Sequence, residues 1–198
     1  MTTQSHKRPL ILASGSPYRK LLLERLRLPF SVQVPGIEEK PLAGEGADAY
    51  AVRLALEKAQ TVATRSVASV VIGSDQVASC EGRLIGKPGS LRRAVEQLES
   101  FSGKTVDFFS AFAVMCCESK LELHRVVLTK ARFRTLIREE IERYVEQDRP
   151  IDCAGGFKSE TAGISLLESM RSDDPTAIVG LPLISLSHAL RQAGYRLP

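Results

Sequence analysis

Apolar and polar positions follow two rhythms along this chain, one near a period of two and one near 3.6, and the switches between them mark the elements. Pro9-Leu10-Ile11-Leu12-Ala13 is short and continuously apolar, as a buried strand requires, whereas Pro17 to Leu28 sets Leu21, Leu22, Leu26 and Leu28 on one helical stripe. A loop rich in Pro, Gly and Glu runs from Pro35 to Gly46; beyond it Leu54, Ala55, Ala59, Val62 and Ala63 predict a helix from Asp48 to Ser66. Val70-Val71-Ile72 opens a strand that continues through Gly73-Ser74-Asp75-Gln76 and turns at Glu81-Gly82 toward Arg83-Leu84-Ile85. Ser90 caps a helix ending near Phe101.

Thr105 to Cys116 and Leu121 to Phe133 are long, β-branched and aromatic, and the break at Glu118-Ser119-Lys120 folds them into an antiparallel hairpin. A charged amphipathic helix follows from Leu136 to Gln147, then a loop from Asp152 to Glu160, a strand expected near Ile164 to Leu167, and a closing helix from Pro182 to Ala193. Alternating helices and strands with one hairpin imply an α/β fold built on a mixed sheet, with function in the loops at strand ends. Residues 9–198 are expected to form this unit and residues 1–8 a disordered tail.

Composition narrows the classes. With 198 residues, 43% apolar and 25% charged, the chain suits one compact unit. Folding at this length buries roughly 70% of the surface of the unfolded chain, so neither a metal staple nor a disulfide framework is needed. Cys80, Cys116, Cys117 and Cys153 form no C-x-x-C pair, which argues against a zinc ribbon or a redox dithiol. No apolar run reaches the roughly 18 residues of a membrane helix, and Met1 to Pro9 has no signal-like apolar core, so a cytoplasmic protein without a membrane partner is expected. The net charge of +4 comes from basic residues interleaved with acids, and there is no Trp for base stacking. A small anionic ligand explains that excess as well as nucleic acid does, and no nucleic-acid partner is expected.

Candidate chemistry begins where the first strand ends. In Ser14-Gly15-Ser16-Pro17-Tyr18-Arg19-Lys20 a small-residue turn feeds a helix with Ser16 as N-cap and Pro17 in its first turn. The helix N-terminus, two hydroxyls and the charges of Arg19 and Lys20 make an anion site, although an ordinary capped helix has the same pattern. Asp75 sits where an apolar strand ends, a place for a carboxylate that works on a ligand or metal and equally for a turn former. Glu38-Glu39 offers a second acidic site, or a solvated loop. Lys58, Lys87 and Lys158 read singly as surface lysines. Gly82 to Pro88 is one residue short of a phosphate-binding P-loop, and Gly44-Glu45-Gly46 lacks the third glycine of a dinucleotide fingerprint. His6, His124 and His188 have no serine elbow or Cys partner, which leaves water as the nucleophile.

Taken in order, Leu12 to Lys20, Ala55-Leu56-Glu57-Lys58-Ala59, Gly73-Ser74-Asp75-Gln76-Val77, Gly86-Lys87-Pro88, Cys153 to Glu160 and Val179-Gly180-Leu181-Pro182-Leu183 resemble the Maf family of nucleoside triphosphate pyrophosphatases. The resemblance spans about residues 9 to 194. It implies an elongated mixed sheet with flanking helices, of the Maf and inosine-triphosphatase type, with two lobes around a deep nucleotide cleft. It further implies a homodimer and hydrolysis of a nucleoside triphosphate to the monophosphate and pyrophosphate with Mg2+ or Mn2+. Carried across, Asp75 is the proton acceptor and a metal ligand with Glu39. Ser14, Arg19, Lys58 and Lys87 bind phosphate, and Lys158 binds substrate at the phosphates or positions its own loop. Tyr18, Gln76 and Glu160 match the specificity positions of the branch that acts on 7-methyl-GTP. An aromatic face stacks on a cationic methylated guanine, and a carboxylate accepts from the guanine N1–H and amino group. Hydrolysis of unmodified TTP or UTP, and a nucleotide-binding regulator of cell division, are the alternatives. Gly156 and Ala111 depart from the branch pattern in small residues near candidate loops.

Overall fold

The structure, a computed structural model, describes residues 8–198. The expected tail therefore lies outside the described residues except for Arg8, which is fastened: its guanidinium pairs with Glu118 and its carbonyl accepts from Tyr195 Oη at 2.8 Å. The elements run β1 (Leu10–Ala13), α1 (Pro17–Glu24), β2 (Ser31–Val32), α2 (Ala47–Ala63), β3 (Val70–Cys80), β4 (Arg83–Ile85) and α3 (Leu91–Phe101). Then follow β5 (Thr105–Cys116), β6 (Leu121–Phe133), α4 (Arg138–Asp148), β7 (Leu167–Ser172) and α5 (Leu183–Gln192).

One mixed sheet in the order β2-β1-β3-β5-β6-β7 carries the fold, with β4 added to β3. β1 is parallel to β2 and β3, while β3, β5 and β6 form long antiparallel ladders. The expected hairpin is present in register from Thr105↔Arg132 to Cys116↔Leu121. Because side chains alternate along a strand, each strand supplies two cores. Leu10, Leu12 and Ile72 pack under α1 and α5, and Ile11, Ala13 and Val71 pack under α2. A third cluster joins the far ends of β3, β5 and β6 to α3 and α4. Within it Phe157 lies edge-on to Phe133 with ring centroids 5.3 Å apart, which anchors the 152–158 loop to the sheet.

Three expectations need correction. Asp75, expected where an apolar strand ends, lies in the middle of β3, which continues unbroken to Cys80 because β5 pairs along its whole length from Val71. The first helix ends at Glu24, before Leu28, because Arg27 takes a left-handed conformation (φ 53°); Leu26 and Leu28 still pack on the core as a turn. The strand expected near Ile164 to Leu167 is instead a 3-10 turn over Ala162–Leu166, and the strand proper is Leu167–Ser172. Ile164 is 49% exposed, so its apolar character reports no buried strand. No helix among the described residues is long and apolar enough to cross a membrane.

Candidate active site

The sheet has a notch, and the charged residues gather there. β5 pairs with one edge of β3 from Val71 to Cys80. On the other edge β1 stops at Ala13↔Gly73 and β4 begins only at Ala78↔Ile85, which leaves Ser74 to Val77 without a neighbouring strand. A four-residue β1 beside an eleven-residue β3 thus opens the sheet beside Asp75. Ser14 follows directly on β1, so it reaches the same level as Ser74 and Asp75.

Alternation along β3 then sorts its side chains. Gly73 and Asp75 face α2, and Ser74 and Gln76 face the 174–183 segment. Gly73 lies directly beneath α2: a Cβ there would stand 2.2 Å from the Ala55 carbonyl oxygen and 2.6 Å from the Ala59 nitrogen. This close approach brings Lys58, one turn beyond Ala55 on α2, down onto Asp75. Lys58 Nζ donates to Asp75 Oδ1 at 2.6 Å and lies 2.6 Å from Glu39 Oε1. Lys58 and Asp75 are 4% and 6% exposed, and Glu39 completes the group from the loop that follows β2. A lysine this buried is found where it is paired.

Arg19 enters from α1. Its Nε donates to the Gly180 carbonyl at 3.0 Å, Nη1 donates to Ser14 Oγ at 3.4 Å, and Nη2 stands 3.9 Å from Asp75 Oδ1. Ser16 caps α1 as expected, accepting from the Arg19 N–H at 3.4 Å. Lys87 is exposed and makes no ion pair among the described residues, but its charge reaches Glu39. Burial pushes the Glu39 carboxyl upward. The hydrogen bond from Lys58 and the charges of Lys58, Lys87 and Arg19 outweigh that and hold it below the usual carboxylate value. Three cations against two carboxylates leave an excess of positive charge for an anionic ligand.

The expected specificity residues divide. Tyr18, next to Arg19 on α1, faces the 152–158 loop: its Oη donates to Asp152 Oδ2 at 3.4 Å, and Lys158 Nζ lies 5.6 Å from its ring centroid. Lys158 is therefore grouped with Tyr18 and not with Lys58; its ammonium also donates to the Asp148 carbonyl at 3.0 Å, at the end of α4. Gln76 lies on the face opposite Asp75. Its Nε2 donates to Ser110 Oγ at 2.9 Å and to the Ala177 and Ile178 carbonyls at 3.0 and 2.9 Å, so it braces the 174–183 segment. Glu160 is exposed, two residues past Lys158, and its carboxylate has no hydrogen bond or ion pair among the described residues. Burial, with the Asp152 charge, pushes the Cys153 thiol up to about 12, which removes it as a nucleophile at neutral pH.

Several participants lie in segments the sequence marks, but with partners it does not show. Asp152 meets Tyr18 across 134 residues. The Gly180 carbonyl takes both Arg19 Nε and Ser74 Oγ, and Gly180 adopts φ 111° beside the Arg19 side chain. Tyr50 is the exception with a usable signal, since it precedes Lys58 by eight residues on α2 and so shares its side; burial and the charges of Asp75 and Glu39 raise its phenol. An open groove of about 660 Å³ lined by Leu56, Gln60, Thr64, Arg65 and Met115 lies elsewhere and contains none of the expected site residues. The notch is identified by its chemistry and not by cavity size.

A family model described as Maf-like protein matches residues 9–193. A protein of Aromatoleum aromaticum named 7-methyl-GTP pyrophosphatase is 50% identical, covering 96% of this chain and 97% of that protein. One of the same name from Xanthomonas oryzae pv. oryzae is also 50% identical, over 96% and 98%. Among solved structures, the Staphylococcus aureus Ham1 protein is similar with a TM-score of 0.54 over 95% of this chain and 100% of that one; at 12% identity it shares the fold alone.

Proposed function

The chain belongs to the Maf family, and on that premise we propose that it is a nucleoside triphosphate pyrophosphatase that hydrolyses 7-methyl-GTP to 7-methyl-GMP and pyrophosphate. The observation that carries the reading is the buried ammonium of Lys58, held between Glu39 and Asp75 in the sheet notch with Arg19 and Ser14 beside it.

In this reading the triphosphate lies along Ser14, Arg19, Lys58 and Lys87, whose positive charge offsets that of its oxygens. Water attacks the α-phosphorus and Asp75 accepts its proton; the bond from that phosphorus to the bridging oxygen breaks, and pyrophosphate leaves. Lys58 holds the Asp75 carboxylate in place and stabilises charge on the leaving group. A hard divalent cation such as Mg2+ or Mn2+ fits this donor set, because Lys58 draws Glu39 and Asp75 together through one oxygen of each and leaves the second carboxylate oxygen of each to ligate. Glu39 and Asp75 would hold it with substrate phosphates, the usual mode where few protein ligands are present. When bound it supplies Lewis acidity and lowers the pKa of the attacking water, which an aspartate alone deprotonates poorly.

Tyr18 supports the choice of base. Its ring lies beside the Asp152 carboxylate, a pairing suited to a flat cation, and Glu160 on the same loop would accept from the guanine N1–H and amino group. Gln76 would act on specificity through the segment that it braces. The same reading includes two lobes within residues 9–198, a homodimer and a cytoplasmic location.

Pyrophosphate release from 7-methyl-GTP, GTP, UTP and TTP, with and without Mg2+, tests it. We expect 7-methyl-GTP to be turned over fastest, and Asp75→Asn to lower kcat by about 10²–10⁴, the usual range for a lost general base. Equal turnover of UTP removes the base assignment. No release from any nucleotide sinks the reading.

A further inference from the structure

Glu39 sits in the 33–46 connection between β2 and α2, which has no regular structure and, apart from the buried Pro35, lies largely exposed. Pro35 is buried and Ile37 half-buried, but Val34 is 65% and Leu42 61% exposed, and residues 38–44 are all exposed. Hydrophobic burial therefore reaches no further than Ile37, two residues short of Glu39. Its ion pair with Lys58 involves a carboxylate that is 45% exposed and so screened by solvent. Something else must hold the connection against α2.

Arg53 does so. Its Nε donates to Glu45 Oε1 at 2.6 Å and Nη2 to Glu45 Oε2 at 2.7 Å, the two-point pairing that makes an Arg–carboxylate bond strong and directional. Nη2 also donates to the Lys40 carbonyl at 2.9 Å, the residue next to Glu39, and Nη1 donates to Glu57 Oε1 at 3.0 Å, one turn along α2. Glu45 Oε2 in turn accepts the Leu42 N–H at 2.9 Å, which closes the connection on itself. The guanidinium thus holds the connection at Lys40, the residue after Glu39, and at Glu45 near its end, while Glu57 keeps it against the helix that carries Lys58. A lysine has one point charge for all these acceptors and cannot reproduce the set.

We propose that Arg53, with Glu45, is a positioning residue for the reaction: it clasps the 33–46 connection to α2 and so sets Glu39 against Lys58 and Asp75. The assignment rests on the pyrophosphatase reading for its effect on rate, and on the hydrogen bonds alone for the clasp. A purely stabilising Arg53 would matter equally whether or not residue 39 carries a carboxylate; a positioning Arg53 acts through it.

The test is a double-mutant cycle with Arg53→Gln and Glu39→Gln, read as kcat/KM for pyrophosphate release, beside hydrogen exchange at the Leu42 and Glu45 amides. We expect Arg53→Gln alone to lower kcat/KM at least tenfold, but less than twofold when Glu39→Gln is already present. The Leu42 and Glu45 amides should exchange at least tenfold faster in Arg53→Gln, with the Leu54 to Val62 amides unchanged. Arg53→Lys should recover little of the loss. Equal losses in both Glu39 backgrounds, or unchanged exchange at Leu42 and Glu45, overturn the proposal. Should Arg53→Gln not fold, Glu45→Gln enters the same cycle, with the same pattern expected and the same result decisive. A wild-type protein that releases no pyrophosphate refutes the pyrophosphatase reading, and the exchange arm still decides the clasp.

Discussion

At the scale of single residues, the site is a problem in placing charge. Lys58 and Asp75 are nearly dry, and each is tolerable because the other is 2.6 Å away, with Glu39 beside the ammonium and Arg19 beside the carboxylate. Glu39 is the wetter partner, and its pKa has a direction that can be tested. Its folded value lies below the usual 4.5, so its charged form is favoured by folding. That contribution is fully present above the unfolded value and is lost as pH falls through the folded one. Glu39→Gln should therefore be less stable than wild type near neutral pH by no more than about 1 kcal/mol, given the exposure of the pair. The gap should close on acidification below 4.5. Denaturant titrations of both proteins across that window check it; a gap that widens toward acid contradicts the assignment.

At the scale of elements, the decisive contact is α2 against β3. Gly73 allows it, because any side chain there meets the Ala55 and Ala59 backbone. Gly73→Ala should push α2 outward, destabilise the protein by about 1–3 kcal/mol as overpacked cores do, and lower kcat by about 10², the cost of displacing a catalytic group by about 1 Å. Unfolding curves and turnover together check this, and a loss of less than 0.5 kcal/mol, with normal turnover, would show that α2 does not depend on Gly73. The elements themselves are largely legible in the sequence where the periodic signal is long, as in α2, β3 and the β5–β6 hairpin. The signal fails where it is short: β2 has two residues, both exposed, and Ile164 lies in a half-exposed turn. A strand made by pairing and not by burial leaves little trace in composition.

At the scale of the molecule, the site depends on a segment far from it in sequence. Asp174 is 1% exposed and takes the Ile184 and Ser185 amides at 2.7 and 3.3 Å on one oxygen, and Thr176 on the other. It thereby caps α5 and shapes the turn whose carbonyls receive Arg19, Ser74, Gln76 and Ser110. Asp174→Ala should cost about 2 kcal/mol or more, a lost cap together with amides left unsatisfied, and should raise KM through Arg19. Stability and KM measured on the same variant test the link; a destabilised protein with unchanged KM would break it.

The cap at Ser16, the strand that runs through Asp75 and the helix bearing Lys58 follow from local chemistry, since capping and periodicity act over a few residues and are written there. The meeting of Asp75 with Lys58 and Glu39, the pairing of Tyr18 with Asp152, and the orientation of Gln76 away from Asp75 do not. They arise because β1 ends early beside β3, because Gly73 admits a helix, and because neighbouring strand residues point to opposite faces. Which distant residue then fills the opened space is settled only by packing.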